Sequence, residues 1–134
     1  MKLIKIVNAY MAMGILAKER MRYKDSLLLK MARTQLKSYY DLFAEEERNI
    51  VAKVSKKDEK GSPIKYSDGH FEFASEESRA EYIRSMTELS GFEVSDSDIK
   101  VVVVSPPEMV SADTLEALDG FVIFEERDKN ERLA

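Results

Sequence analysis

A single histidine, His70, and no cysteine stand among the 134 residues, so little side-chain chemistry is on offer. An imidazole works as a general base only when partners orient it. His70 follows Asp68-Gly69, a turn signal, which makes it a turn residue before it is a catalytic one. A zinc site needs several Cys or His ligands, and this chain has too few. No Gly-rich phosphate loop or dinucleotide fingerprint occurs. Ser26, Ser62 and Ser75 sit in no nucleophile-elbow context. Glu45, Glu46 and Glu47 are consecutive, so on a helix they fan out about 100° apart. Asp96 and Asp98 could share a hard cation, but their spacing is not that of an EF-hand loop, and they read as solvated carboxylates. The expectation is a non-enzymatic protein with no catalytic residue, no metal and no cofactor.

The basic residues have a clearer pattern. Lys30, Arg33 and Lys37 are three and four apart and line one side of a helix, with Arg20, Arg22 and Lys24 just before it. Such a set can follow a phosphate backbone or an acidic protein, with Tyr23 and Tyr40 placed to stack on a base. It also fits a solvated helix face, which the overall charge of −4 favours over general nucleic-acid coating. Residues 1–40 hold nine Lys/Arg against two Asp/Glu, a net of +7, whereas residues 41–134 hold twelve against twenty-three, a net of −11. Polarity of that size suits two ends that face each other, within one chain or between copies. Seven Met, with Met11, Met13, Met21 and Met31 among those in the first third, fit core filling or an adaptable binding surface.

The elements that must carry these residues follow from periodicity. Met1–Val7, rich in Ile, Leu and Val, predicts a short strand, and Asn8 then caps a helix over Ala9–Glu19 weakened by Gly14. Asp25 or Ser26 caps the strongest element, a helix from about residue 25 to 54. Its stripe is Leu28, Met31, Ala32, Leu36, Tyr39, Phe43, Ile50 and Val54. At about 1.5 Å per residue it would be roughly 45 Å long. A domain of this size has a radius of gyration of about 14 Å, so the helix must bend, break near Ala44–Glu47, or project. A projecting apolar stripe needs a partner, which puts Leu36, Tyr39, Phe43 and Ile50 forward as a protein interface.

Downstream, Asp68-Gly69 predicts a type I′ hairpin over 64–73 that pairs Ser67 with His70, Tyr66 with Phe71, Lys65 with Glu72 and Ile64 with Phe73. Ser75 caps a third helix with Tyr82, Ile83, Met86 and Leu89 as its buried stripe. Gly91 stops it and Phe92 packs back on its last turn. Ile99–Val104 reads as a strand buried on both faces, ended by Pro106-Pro107. Ser111 caps a short helix over Ala112–Asp119, closed by Gly120, and Phe121–Phe124 is a last strand. The fold class is therefore α+β: a long amphipathic helix with two or three shorter ones on a small, mainly antiparallel sheet. One domain spans 1–124 and a charged, frayed tail spans 125–134.

The order of parts resembles that of small uncharacterised proteins encoded by phages and prophages of Gram-positive bacteria. In residues 1–92 an Asn-containing N-terminal segment and a basic connector precede the long helix. That helix runs into Phe43-Ala44-Glu45-Glu46-Glu47-Arg48-Asn49-Ile50. The turn Lys57-Asp58-Glu59-Lys60-Gly61 follows, and then a helix ending Thr87-Glu88-Leu89. The chain departs from that pattern after Phe92 and has no Ser-Arg-rich connector. The resemblance implies a phage context and transfers no activity or site residue. No run reaches the roughly 18 apolar residues of a membrane span, and Lys2 and Lys5 interrupt any secretory leader, so the expected location is cytoplasmic, the host's if the protein is phage-encoded. The leading expectation is a self-associating protein-interaction protein, a virion or assembly component or an inhibitor of a host protein. The alternative is a nucleic-acid-binding accessory protein using residues 20–37.

Overall fold

The apolar N-terminal segment is a helix, against the strand expected over Met1–Val7. In the computed structural model, which describes residues 1–66 and 68–125, helix α1 spans Leu3–Leu16. Leu3, Ile6, Val7, Ala9, Ala12, Met13 and Leu16 are buried, a three-and-four spacing that puts them on the packed side of a helix. That burial outweighs the strand preference of Ile and Val, a matter of tenths of a kcal/mol per residue. Only Lys2 keeps an extended role, bridging to Glu93. The Leu3 amide donates to the Phe92 carbonyl and the Val94 amide to the Met1 carbonyl, each at 2.8 Å. Asn8 thus lies inside α1 and caps nothing, and α1 ends at Leu16, short of Glu19.

Helix α2, Tyr23–Val54, is one unbroken element of 32 residues, about 48 Å at the usual rise. It does not break near Ala44–Glu47, and it does not project bare. Leu29, Ala32 and Leu36 pack with α1 in the main core, and Phe43 packs with Leu3 and Val7 in a second cluster. Met31, placed by periodicity in the stripe, is 63% exposed, and the buried line runs instead through Asp25, Leu29, Ala32, Leu36 and Phe43 to Val54. Neither Asp25 nor Ser26 is the cap: Arg22 holds that position without a side-chain cap bond. Asp25 sits in the first turn, buried, at the positive end of the helix dipole, and accepts from Arg22 Nε at 3.0 Å.

Helix α3, Glu76–Ser90, starts as expected, with Ser75 Oγ accepting from the Ser78 amide at 3.1 Å. It lies on the second half of α2, but none of its residues is fully buried and Ile83 is exposed. Phe92 is also exposed, although its amide donates back to the Leu89 carbonyl of the last turn at 3.3 Å. Lys53 Nζ meets Glu81 at 2.7 Å and ties α3 to the end of α2. That hydrogen bond, and then the charge of Lys53, hold the Glu81 carboxyl below its ordinary range. The stabilisation is complete above the ordinary carboxylate pKa of about 4.3 and is lost as pH falls through the lowered native value. In Lys53→Met the Glu81 titration midpoint, followed by NMR of the side-chain carboxyl, should rise toward the ordinary value. An unchanged midpoint would mean the pair does not persist in solution.

The segment between α2 and α3 corrects the expected hairpin. Among the described residues of 64–73 no strand ladder forms; one antiparallel bridge, Lys65–Phe71, joins the two arms, with the Tyr66 amide donating to the His70 carbonyl at 2.9 Å. A type I′ turn needs two positive φ angles, and among the described residues only glycines have one, here Gly69 at 86°. The pairing is displaced by one residue from the expected register, so Tyr66 faces His70 and Phe73 bridges to Ser55. Ser67, expected opposite His70, lies outside the described residues. Phe71, Phe73 and Tyr82 form an aromatic group, with ring centroids 5.1–5.7 Å apart.

The sheet is likewise parallel, not mainly antiparallel. Strand β1, Val102–Val104, pairs with β2, Val122–Phe124, in the register Val102–Val122, Val103–Ile123 and Val104–Phe124. Parallel neighbours need a crossover, and helix α4, Ala112–Leu118, supplies it. Ser111 Oγ accepts from the Thr114 amide at 3.2 Å to start α4, and Gly120, φ 86°, reverses the chain after it. β1 is shorter than the expected Ile99–Val104 and is buried on one face only: Val104 is enclosed, Val101 and Val103 are exposed. The core gathers Ile6, Ala9, Met13 and Leu16 of α1, Leu29, Ala32 and Leu36 of α2, Leu118 of α4, Val104, Val122 and, at its centre, Phe121. No helix among the described residues is long and apolar enough to cross a membrane. The tail from 126 on lies outside the described residues.

Candidate interaction surface

The six basic residues divide into two groups. Arg22 holds Asp25 and also donates to the Ser105 hydroxyl. Arg33 turns toward α1, where its Nε donates to the Tyr10 carbonyl at 3.1 Å and its guanidinium lies 4.0 Å from the Tyr10 ring centre. Gly14 makes room for it: a Cβ there would stand 2.8 Å from an Arg33 terminal nitrogen. Lys37 meets Asp41 at 2.6 Å, and that hydrogen bond holds its ammonium above the ordinary lysine value. These three are engaged within the chain. Arg20, Lys24 and Lys30 are exposed and make no ion pair among the described residues. Tyr40, expected to stack on a base, stacks instead on Tyr10, 4.5 Å between centroids, while Tyr23 is 80% exposed.

The expected interface on α2 is mostly used internally. Leu36 and Phe43 are buried, Tyr39 is half-buried between the two core clusters and Ile50 is half-buried. The stripe is real, but α1 and α3 of the same chain cover it. What α2 leaves to solvent is the other side: Leu27, Met31 and Leu42, with Lys24 and Lys30 beside the first two.

A surface that periodicity on α2 did not reveal lies between α1 and α4. There a groove of about 670 Å³ has Ile4, Met11, Ala12 and Ile15 along one wall and Thr114 and Ala117 along the other. Met11 and Ile15 are about half exposed. Asp113, Glu116 and Asp119, all exposed, edge the α4 side, and Lys5 stands at the α1 side. The groove exists because α1 is apolar nearly all round, with Lys5 its only charged residue, so α2, α3 and α4 together cannot cover it. Its signal in the sequence is a second spacing, Ile4, Met11 and Ile15, whose first member falls in the segment that reads as a strand.

The remaining candidates for chemistry are placed as follows. His70 Nδ1 lies 2.8 Å from Asp68 Oδ2, and the Asp68 carboxylate also accepts from the His70 amide. The imidazole contact, then the amide, hold the Asp68 carboxyl low. This is an exposed turn contact spanning two residues. Glu45, Glu46 and Glu47 are all exposed. Asp96 faces the Met1 amine at 3.0 Å, while the Asp98 side chain lies outside the described residues. Among the described residues no three His, Cys, Asp or Glu side chains gather as a metal site would require. No protein-family model, curated protein or solved structure matches the chain.

Proposed function

We propose that this chain is a non-enzymatic protein-interaction protein that binds further copies of itself, working in the host cytoplasm as a phage or prophage product, either in assembly or against a host protein. The observation that carries this reading is the α1–α4 groove, whose Met11 and Ile15 are left half exposed by their own chain. Apolar side chains gathered in a concave site, rimmed by charge, have the composition of a protein contact. Light scattering over a concentration series should give an apparent mass rising above the 15.4 kDa of one chain. A strict monomer up to high micromolar protein would sink the reading.

A second reading, nucleic-acid binding, is favoured by Arg20, Lys24 and Lys30 standing exposed beside Tyr23. It is narrower than the six-residue set, because Arg22, Arg33 and Lys37 are held by their own chain. It predicts retardation of single-stranded oligonucleotides that weakens with added salt, with a slope set by about three phosphate contacts. No retardation at low salt removes it.

A further inference from the structure

Two of the exposed apolar faces among the described residues carry opposite charge, and neither is matched within the molecule. The α1–α4 groove has Met11 and Ile15 in its wall, with Asp113, Glu116 and Asp119 against the one cation, Lys5. The outer face of α2 presents Leu27 and Met31, 42% and 63% exposed, flanked by Lys24 and Lys30. None of these three carboxylates or two ammonium groups is ion-paired among the described residues. At about 100° per residue, Leu27 and Met31 each lie about 160° round α2 from Leu29, which packs on α1. Met11 and Ile15 are turned about 100° and 140° from Tyr10, which packs on α2. The faces therefore point away from each other, and one molecule cannot close them on itself.

We propose that the occupant of the α1–α4 groove is the outer face of α2 of a second copy, with Leu27 and Met31 against Met11 and Ile15 and with Lys24 and Lys30 against the carboxylates of α4. This rests on the self-association reading and specifies its geometry. The contact joins two different surfaces, so it is heterologous and repeats: each copy still offers a free groove at one end and a free α2 face at the other. Such a contact closes into a ring or continues as a filament. The pattern of charge follows the same logic as the net values of the two parts of the chain, positive over residues 1–40 and negative beyond.

Two charge-reversed proteins test it. One carries Lys24→Glu with Lys30→Glu, the other Glu116→Lys with Asp119→Lys. All four positions are exposed, and lysine at the C-terminal end of α4 suits the helix dipole. Each variant alone should associate roughly tenfold or more weakly than the natural chain. An equimolar mixture should recover association, since the groove of the first then accepts the α2 face of the second and the reversed pair also matches. Natural-like association of either variant, or no recovery on mixing, overturns the pairing while leaving self-association standing. A natural chain that is monomeric throughout overturns both. A second measurement is independent of charge: the chain has no cysteine, so mixed Met11→Cys and Met31→Cys proteins should form the mixed disulfide under mild oxidation. Only like-with-like disulfides would point to a two-fold symmetric contact and against this one.

Discussion

Replacing Phe121 by Ala should destabilise the protein by about 3–5 kcal/mol, measured as a shift of the urea midpoint at unchanged slope. Phe121 is 1% exposed and lies where α1, α2, α4 and the sheet meet. Its amide donates to the Leu118 carbonyl, and its carbonyl accepts from the Val102 amide at 3.1 Å. The side chain thus fills the centre of the core, and its backbone starts the pairing of β1 with β2. With a whole-protein stability of the usual 5–15 kcal/mol, a loss of that size leaves a large unfolded fraction if the protein is at the low end. A loss under about 1 kcal/mol would show that the core does not close on Phe121.

The second large effect is a contrast along α2. Leu36→Ala should cost about 2–5 kcal/mol, because Leu36 is enclosed by α1. Met31→Ala, five residues earlier on the same helix and 63% exposed, should stay within about 0.5 kcal/mol. Measured on dilute protein, the pair decides which side of α2 faces the core. Similar costs for both would mean that the helix is rotated from the described packing. The same contrast separates folding from association, since Met31→Ala should weaken contacts between copies without unfolding the chain.

How much of this was legible depended on how local each cause is. The helix caps Ser75 and Ser111 act over three residues, and both were readable. So was the body of α2, because nothing in it interrupts a helix. The face of α2 was only partly readable: Leu28 and Leu29, or Met31 and Ala32, are equally good periodic choices, and the helix they meet decides between them. The N-terminal segment reads as a strand because Ile4, Ile6 and Val7 have strand preferences that only packing on α2 and α3 overrides. The parallel sheet was beyond reach, since β1 and β2 are held by a crossover whose return depends on Phe121 reaching the core. At the hairpin the turn dipeptide was informative but the register was not, as Gly69 alone takes a positive φ among the described turn residues. For the surface, charge polarity is visible in the sequence; that Leu36 and Phe43 belong inside, and that free apolar surface lies between α1 and α4 and on the outer side of α2, requires the packing.

The ties of Met1 and Leu3 to Phe92 and Val94 bear on how the chain acquires its shape as it is made. Synthesis is vectorial, so α1 and α2 are made before the segments that cover them. They can meet early, since their contacts are close in sequence. Yet the amide of Leu3 has no acceptor until residue 92 appears, and Ile6, Ala9 and Met13 wait for Phe121. Contacts of such long sequence separation slow folding. Until residues 92–124 are made, the nascent chain therefore presents a helical pair with an open apolar flank.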